Sequence, residues 1–553
     1  MLRKIKANSD WVLASQKIYP KSNTMSEDAI SNFIHANNDR WIDLVKSAYS
    51  NRNNSLKIVL ASSMSDYSHG ASFDRRLAIA LTELGHRVSF LLCDANLQAC
   101  QIIKFDSVMP FELNSHITTP RCGRCAPLVQ SKFATLNLPI HNFNFEIEEE
   151  AEFRNVISKL SFDELINLNI DGVQIGEHAR AGAIRYFAST NIAQEPFGRD
   201  ILTRFLVSGH RVLRATQDLI RNYDPDLAVI HHGIYIPQGI ISETFKKNAI
   251  PITTWTPSYR RGTFIVSPDD SYHYTLTEEA CDVWENLKIS EEDLENLATY
   301  MNERSSGKND WIRFSDSRIE NQDAFPPGED YFLALTSVSW DAELHYESRA
   351  FDNMKAWLKE TIEFFKIHKE ENLVIRVHPA EITSPNKSRE KMSDYLDQLN
   401  VNELKNVKVI KPEENISTYH LIENAKTVLI YNTKTGIEAA YRGKPVITAG
   451  EAWIKGKGIT FDAYNSAEYS DLLEKAKNGI KMSNEQKARA TKYAFHFFFR
   501  RMIRISLFGE EESKDLFPKR KISWSEMIGK DDENYREILA AIVEHRVPYS
   551  KVI

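Results

Sequence analysis

The 553-residue chain contains only 5 cysteines, too few for a disulfide scaffold at this length, and a reducing compartment would keep them as thiols. It has no uncharged apolar run approaching the roughly 20 residues that cross a bilayer. Its opening, MLRKIKANSDWVLASQKIYP, lacks the continuous apolar stretch of a secretory signal, so a cytoplasmic protein is expected. An excess of positive charge is missing as well: 69 Lys and Arg stand against 76 Asp and Glu, a formal net charge of -7. Binding nucleic acid requires clustered cations that displace counterions, so nucleic acid is not an expected partner. Repeats and low-complexity tracts are also lacking. What remains is an ordinary globular composition, 42% hydrophobic and 26% charged, at a length beyond that at which one core keeps growing. Two domains with extensions are expected.

Residues 1–50 read as a helical extension, with apolar residues at helical spacing (Ile30, Phe33, Ile34, Trp41, Leu44, Val45) after acidic ones. SLKIVLASS then reads as a strand, MSDYSHGASF as a loop, DRRLAIALTELGHRV as a helix ending at Gly85, and SFLLCD as the next strand. This order opens a doubly wound α/β domain, in which ligands sit at the carboxyl ends of the strands. The alternation continues with a strand to Ile230, a loop bearing His231, His232 and Gly233, a helix from about Gln238 and a strand after Pro251. Between about 300 and 328 the text turns polar, with Gly and Pro and little periodicity, and a domain boundary is placed there. A second α/β domain follows, with strands at YFLALTSV, NLVIRVHP, NVKVIK, TVLIYN and PVITAG. The expected architecture is α/β: two doubly wound Rossmann-like domains facing across a cleft. The divisions are 1–50, 51–315, 328–483 and a helical tail at 484–553.

The stretch YNTKTGIEAAYRGKPVITAGE, residues 431–451, places polar residues directly behind a strand. Thr435 stands where a helix N-cap belongs, so first-turn N–H groups point into the mouth above the sheet and favour a phosphate. Gly436 permits close approach of a ligand to the backbone. Glu438 fits two roles: hydrogen-bonding the ribose hydroxyls of a nucleotide, or closing a capping box with Thr435. In IRVHPAE, His378 follows a central strand and can donate to a phosphate oxygen, while Arg376 supplies permanent charge if it faces the cleft. The alternative for His378 is a satisfied structural histidine at a strand end.

Together, RVHP and TKTGIEAAYRGKPVITAG resemble the C-terminal half of bacterial capsule polysaccharide biosynthesis proteins, the family containing the Kdo transferases. The N-terminal KIVLASS, HG and ALTELGHRVSFLLCD are similar to the opening of many glycosyltransferases of the B fold. The resemblance implies a nucleotide-sugar-dependent glycosyltransferase with donor contacts from Arg376, His378, Thr433, Thr435, Gly436 and Glu438. It implies a polysaccharide or glycolipid acceptor held by the N-terminal domain. The His-Pro pair is similar to one in enzymes whose donors release CMP, which favours CMP-Kdo or a related acidic sugar. The serine pair usual in those relatives stands here as Thr433 and Thr435, split by Lys434. A transferase of alditol phosphate from a CDP-activated donor, a sugar-nucleotide epimerase and a non-catalytic nucleotide-sugar-binding protein are the alternatives.

Glycosyl transfer passes through an oxocarbenium-like transition state and needs a base toward the acceptor hydroxyl, or a carboxylate nucleophile if configuration is retained. Candidates at expected loop mouths are Asp66 and His69, Glu177 and His178, His232, and Asp269 and Asp270. Glu177, His232 and Asp66 are taken as catalytic, with His69, Arg180 and Arg260 binding substrate. Arg185 and Arg261 are further cations suited to an acidic sugar. No cofactor is expected for catalysis, because helix-end and side-chain donors stand in for a cation. Cys93, Cys100, Cys122 and Cys125 fall in one short region ending in CGRC, a spacing used by structural zinc sites; four reduced thiols are the rival reading. The tail NEQKARATKYAFHFFFRRMIRISLF suits either a helix packed across both domains or an amphipathic peripheral membrane contact.

Overall fold

A computed structural model describes residues 28–50, 55–61, 68–115, 118–119, 121–304, 310, 323–326, 328–342, 350–509, 517–518 and 520–551. Two sheets organise it. Strands β1 (Lys57–Ala61), β2 (Arg87–Leu92), β3 (Ile140–Asn142), β4 (Leu227–His231), β5 (Ile252–Pro257) and β6 (Thr263–Pro268) belong to the first. The second holds β7 (Tyr331–Leu335), β8 (Asn372–Arg376), β9 (Val407–Ile410), β10 (Ala425–Ile430), β11 (Val446–Thr448) and β12 (Phe461–Asp462). A final strand, β13 (Ile503–Arg504), returns to the first sheet.

The orders are β13-β6-β5-β4-β1-β2-β3 and β12-β11-β10-β7-β8-β9. In the first sheet β3, β2, β1, β4 and β5 run parallel, and β6 and β13 close the edge antiparallel. The second sheet is parallel throughout. Both are doubly wound. Each reverses strand order once, between β1 and β4 and between β7 and β10, and such a reversal opens a crevice at the strand ends. The central strands are continuous apolar runs such as KIVLA and YFLAL, buried along nearly their whole length, because helices cover both faces of a parallel sheet.

Each sheet has a core on either face. Helices Ala29–Ala36 and Asn38–Ser50 set Ile30, Phe33, Ile34 and Trp41 against Phe73 and Leu77 of helix Ser68–Glu83. Asp28 caps the first of these helices and pairs with Arg75, which is 1% exposed, at 2.9 Å. Across the sheet, the 26-residue helix Gly198–Tyr223 buries Leu202, Phe205 and Leu206. On the second sheet, helices Tyr272–Thr277, Asp282–Glu285 and Glu291–Arg304 contribute Leu276, Trp284 and Leu297 to the core of β7 and β10. These helices precede the boundary expected from composition. Composition marks a change in the character of the chain, whereas the packing partner is decided by long-range apolar contacts.

The tail crosses between the sheets. Helix Asn484–Phe495 packs on helix Thr435–Tyr441, continues as a π-helical turn His496–Arg501, and delivers β13 to β6. Phe497, Phe498 and Phe499 are at most 4% exposed. The aromatic run is therefore spent on the protein core and offers no membrane-facing stripe, which corrects that reading of the tail. Among the described residues no helix is long and apolar enough to cross a membrane.

Candidate functional site

The loops after β7, β8 and β10 converge. Ser337 donates to Asn432 Oδ1 at 2.5 Å, and the His378 N–H donates to Thr336 Oγ1 at 2.9 Å. His378 Nδ1 accepts the Ala380 N–H at 3.1 Å, which puts the ring proton on Nε2. Burial first, then the nearby cations Lys434 and Arg376, lower its pKa to about 4. The imidazole is thus neutral at physiological pH, and Nε2 is a donor without charge.

The charge at this mouth comes from Lys434, which sequence reading treated only as an interruption between two threonines. Its Nζ lies 3.3 Å from Glu438 Oε1 and 4.5 Å from the ring centroid of Tyr259, in the connection between β5 and β6. Burial and then Arg304 lower the Lys434 pKa. Thr435 is not an N-cap. The helix is Thr435–Tyr441, and Lys434 before it has helical φ, ψ of -60° and -19° and makes no side-chain cap. Thr433 does the local work instead: its Oγ1 accepts the Thr435 N–H at 3.3 Å and donates to Thr435 Oγ1 at 3.2 Å. Seven residues make too short a helix for its end to carry the anion alone.

Glu438 takes neither role expected of it. It is 1% exposed, accepts from Tyr419 Oη at 2.5 Å and pairs with Arg304 at 3.1 Å. Arg304 in turn reaches Asp310 at 2.8 Å. Gly436 is required by packing rather than by a ligand. A Cβ there would collide with the Ile430 side chain and meet Ile454 Cγ2 at 3.6 Å. Gly436→Ala is expected to cost about 1–3 kcal/mol as an overpacked core, read as a lowered urea midpoint with unchanged m-value. Arg376 faces away from the mouth: Nη1 donates to Lys411 O at 2.6 Å and Nη2 to Glu414 O at 3.2 Å, so it fastens the following turn.

Facing these loops are residues at the carboxyl ends of the first sheet. His232 follows β4 with φ of 63°, an uncommon conformation for a non-glycine residue and one concentrated at functional sites. Its backbone N–H donates to Trp255 O at 2.9 Å. Its ring lies 5.7 Å from those of Tyr235 and Tyr272 and 6.1 Å from His273. Nδ1 of His232 has no hydrogen-bond partner among the described residues. Burial lowers its pKa to about 4, with Asp341 opposing and Arg185 assisting.

Side chains close the crevice from both sides. Tyr235 Oη donates to Asp341 Oδ1 at 2.8 Å and accepts the Ala342 N–H at 2.6 Å. Arg185 Nε stands 4.0 Å from Asp341, and its guanidinium lies 5.3 Å from the Tyr235 ring centroid. Trp453, after β11, meets Tyr272 at 5.7 Å and His273 at 5.5 Å. Tyr235, Tyr259, Tyr272, Asp341 and Trp453 were not singled out in the sequence. Single residues in loops and at a helix start carry no periodic signal that separates a crevice from a core.

The remaining candidates lie elsewhere. Glu177 is half-buried in the first turn of helix Ile175–Phe187 rather than in a loop. Burial, and then the Glu177 carboxylate, push the Tyr274 phenol up. His178 on the same helix is buried and pairs with Glu243 at 3.2 Å. Arg180 is half-buried on that helix. Arg260 does not face an acceptor: its guanidinium stacks 3.9 Å from the Phe499 centroid and donates to Phe498 O at 2.8 Å. Asp269 is exposed and pairs with His545, and Asp270 pairs with Lys246, so both serve surface turns. Asp66 lies outside the described residues, as does the His69 side chain.

Cys93, Cys100, Cys122 and Cys125 are half-buried thiols outside any disulfide and line one cavity. Among the described residues no group of three or more His, Cys, Asp or Glu is gathered at metal-binding separation. Burial pushes the Cys93 thiol up, and pushes that of Cys100 up to about 12.

Residues 274–494 match the family described as "Capsule polysaccharide biosynthesis protein". This segment contains the whole second sheet and helices Asp282–Glu285 and Glu291–Arg304 before it. No curated protein matches the chain. Among solved structures, KpsC of Thermosulfurimonas dismutans described as a beta Kdo 2,4 transferase is 14% identical. The match covers 48% of this chain and 79% of that one, with a TM-score of 0.32. A second KpsC structure from that organism, a beta Kdo 2,7 transferase, is 15% identical over 50% and 80%, with a TM-score of 0.29. UDP-GlcNAc 2-epimerase of Neisseria meningitidis is 10% identical over 79% and 98%, with a TM-score of 0.23. Over residues 274–494 the chain is similar to the capsule polysaccharide biosynthesis proteins.

Proposed function

We propose that the chain is a nucleotide-sugar-dependent glycosyltransferase of capsular or surface polysaccharide assembly, acting in the cytoplasm on a polysaccharide or glycolipid acceptor. The observation that carries this reading is the placement of Lys434 and His378 at one lip of a crevice and His232 at the other. Lys434 and the Nε2–H of His378 meet the donor phosphate and take up the negative charge that grows on it as the glycosyl bond breaks. His232 is neutral and accepts the acceptor hydroxyl proton. The acceptor oxygen bonds to the anomeric carbon, the bond from that carbon to the phosphate oxygen breaks, and the nucleotide leaves. In this step Lys434 supplies the positive charge and the His378 N–H a neutral hydrogen bond. The favoured donor is CMP-Kdo or a related acidic sugar nucleotide, a choice that rests on the RVHP segment and on the family similarity of residues 274–494.

Calorimetric binding of CMP, CDP, UDP and GDP, followed by turnover with labelled donors, tests this reading. Expected are preferential binding of a cytidine nucleotide, and CMP release with the sugar added to acceptor. Lys434→Ala should weaken nucleotide binding about tenfold, the loss of one charged hydrogen bond. Phosphate carried into the product would make the chain an alditol-phosphate transferase, an isomerised donor an epimerase, and tight binding without turnover a binding protein. Each overturns the proposal.

A further inference from the structure

The loop leaving β2 and the helix beginning at Cys122 bring four cysteines to one cavity, which Leu97 and Thr119 help to line. Cys93 Sγ accepts the N–H of Ala95, two residues on, in a turn that gives Ala95 a φ of 70°. Cys100 Sγ accepts the N–H groups of Ile102 and Ile103. Cys122 and Cys125 occupy the first turn of the thirteen-residue helix Cys122–Ala134, and Cys122 Sγ lies 3.2 Å from Thr119 Oγ1. Cys93 and Cys122 flank the cavity from two separate segments, and the amide and hydroxyl contacts fix where their sulfurs stand. Arg121 also lines the cavity, a cation placed to offset the net negative charge of a metal ion held by four thiolates. Four sulfurs from two segments of the chain thus ring a common space.

We propose that Cys93, Cys100, Cys122 and Cys125 bind one structural zinc ion through four thiolates. The last pair has the C-x-x-C spacing of such sites, and a site closed by four sulfurs leaves no position for substrate. Binding draws the four sulfurs inward from their present separation, and the four thiol protons go to solvent. The ion clamps the 93–104 loop to helix Cys122–Ala134. That loop also touches the crevice wall: the Gln101 N–H donates to Ile236 O at 3.1 Å, and Gln101 O accepts from Arg185 Nη1 at 2.7 Å. The proposal stands independently of the reaction assigned above.

The full chain, purified and dialysed under reducing conditions, is expected to retain about one zinc per molecule by plasma mass spectrometry. Exchange with Co2+ should give sulfur-to-cobalt charge transfer and the intense visible bands of a tetrahedral tetrathiolate site. Cys100→Ser and Cys122→Ser should lose the metal. Should these variants fail to fold, titration of the wild-type chain with a mercurial keeps the test decisive, because zinc should be released in step with modification of the four thiols. Wild-type chain that holds no zinc and shows no thiolate bands with cobalt overturns the proposal. So does iron in the site, or a disulfide between Cys122 and Cys125 in the reduced preparation.

Discussion

Glu438→Ala is expected to lower the unfolding free energy by about 3–5 kcal/mol, the cost of breaking a buried ion pair by removing one partner. The partner is Arg304, 4% exposed at its side chain and 3.1 Å from a carboxylate that is 1% exposed. Asp310, Tyr419 and Lys434 complete the group, so the network ties the end of helix Glu291–Arg304 to the helix that forms the floor of the crevice. Burial works to raise the Glu438 pKa, but Arg304, Lys434 and the Tyr419 hydroxyl outweigh it and hold it at about 2 against a usual 4.5. The folded state therefore binds this proton more weakly than the unfolded state. The resulting stability is fully present above pH 4.5 and is lost as pH falls toward 2. Urea denaturation at neutral pH and at pH 3.5 measures both effects. The wild-type chain should lose stability between the two, and Glu438→Ala should lose less over the same interval. A neutral-pH loss below about 1 kcal/mol would show the pair to be worth no more than a surface ion pair.

Strand positions were legible because parallel strands buried on both faces are written as unbroken apolar runs; LAVIH and TVLI need no partner information to be recognised. The start of helix Gln238–Lys247 was legible from its proline. Helix Ile175–Phe187 was not. It is packed on nearly every side, with Ala179, Ala181, Ala183 and Tyr186 all buried and Gly182 against Phe205, so it lacks the one-sided stripe that periodicity detects. The convergence of the TKTG and HP segments was foreseen, but the atoms that matter within them were not. Lys434 and Glu438 satisfy local patterns, and only the position of Arg304, distant in the chain, decides what Glu438 does. Arg260 and Arg376 show the same limit, since a guanidinium beside a cleft can equally fasten carbonyls behind it.

His232→Ala is expected to reduce kcat by about 10²–10⁴, the usual contribution of a general base, while leaving donor-nucleotide affinity unchanged because His232 belongs to the opposite lip. The pH profile separates this role from a merely structural one. Burial holds the His232 pKa at about 4 instead of 6.5, so the neutral, proton-accepting form persists well below the range in which an ordinary histidine becomes charged. The acid limb of kcat/KM, which reports the free enzyme, should therefore fall near pH 4. The stability of the fold moves with the same group. Between pH 6.5 and 4 the unfolded chain takes up a proton at this position that the folded chain refuses, so this histidine withdraws stability as pH falls through that window. His378 has a similarly depressed pKa and adds to the loss, which His232→Ala should therefore reduce but not abolish. A variant whose kcat stays within about threefold of wild type, well short of a general base's contribution, would remove His232 from the chemistry. An acid limb lying near 6.5 in the wild-type enzyme would assign the base to a more exposed group than this one.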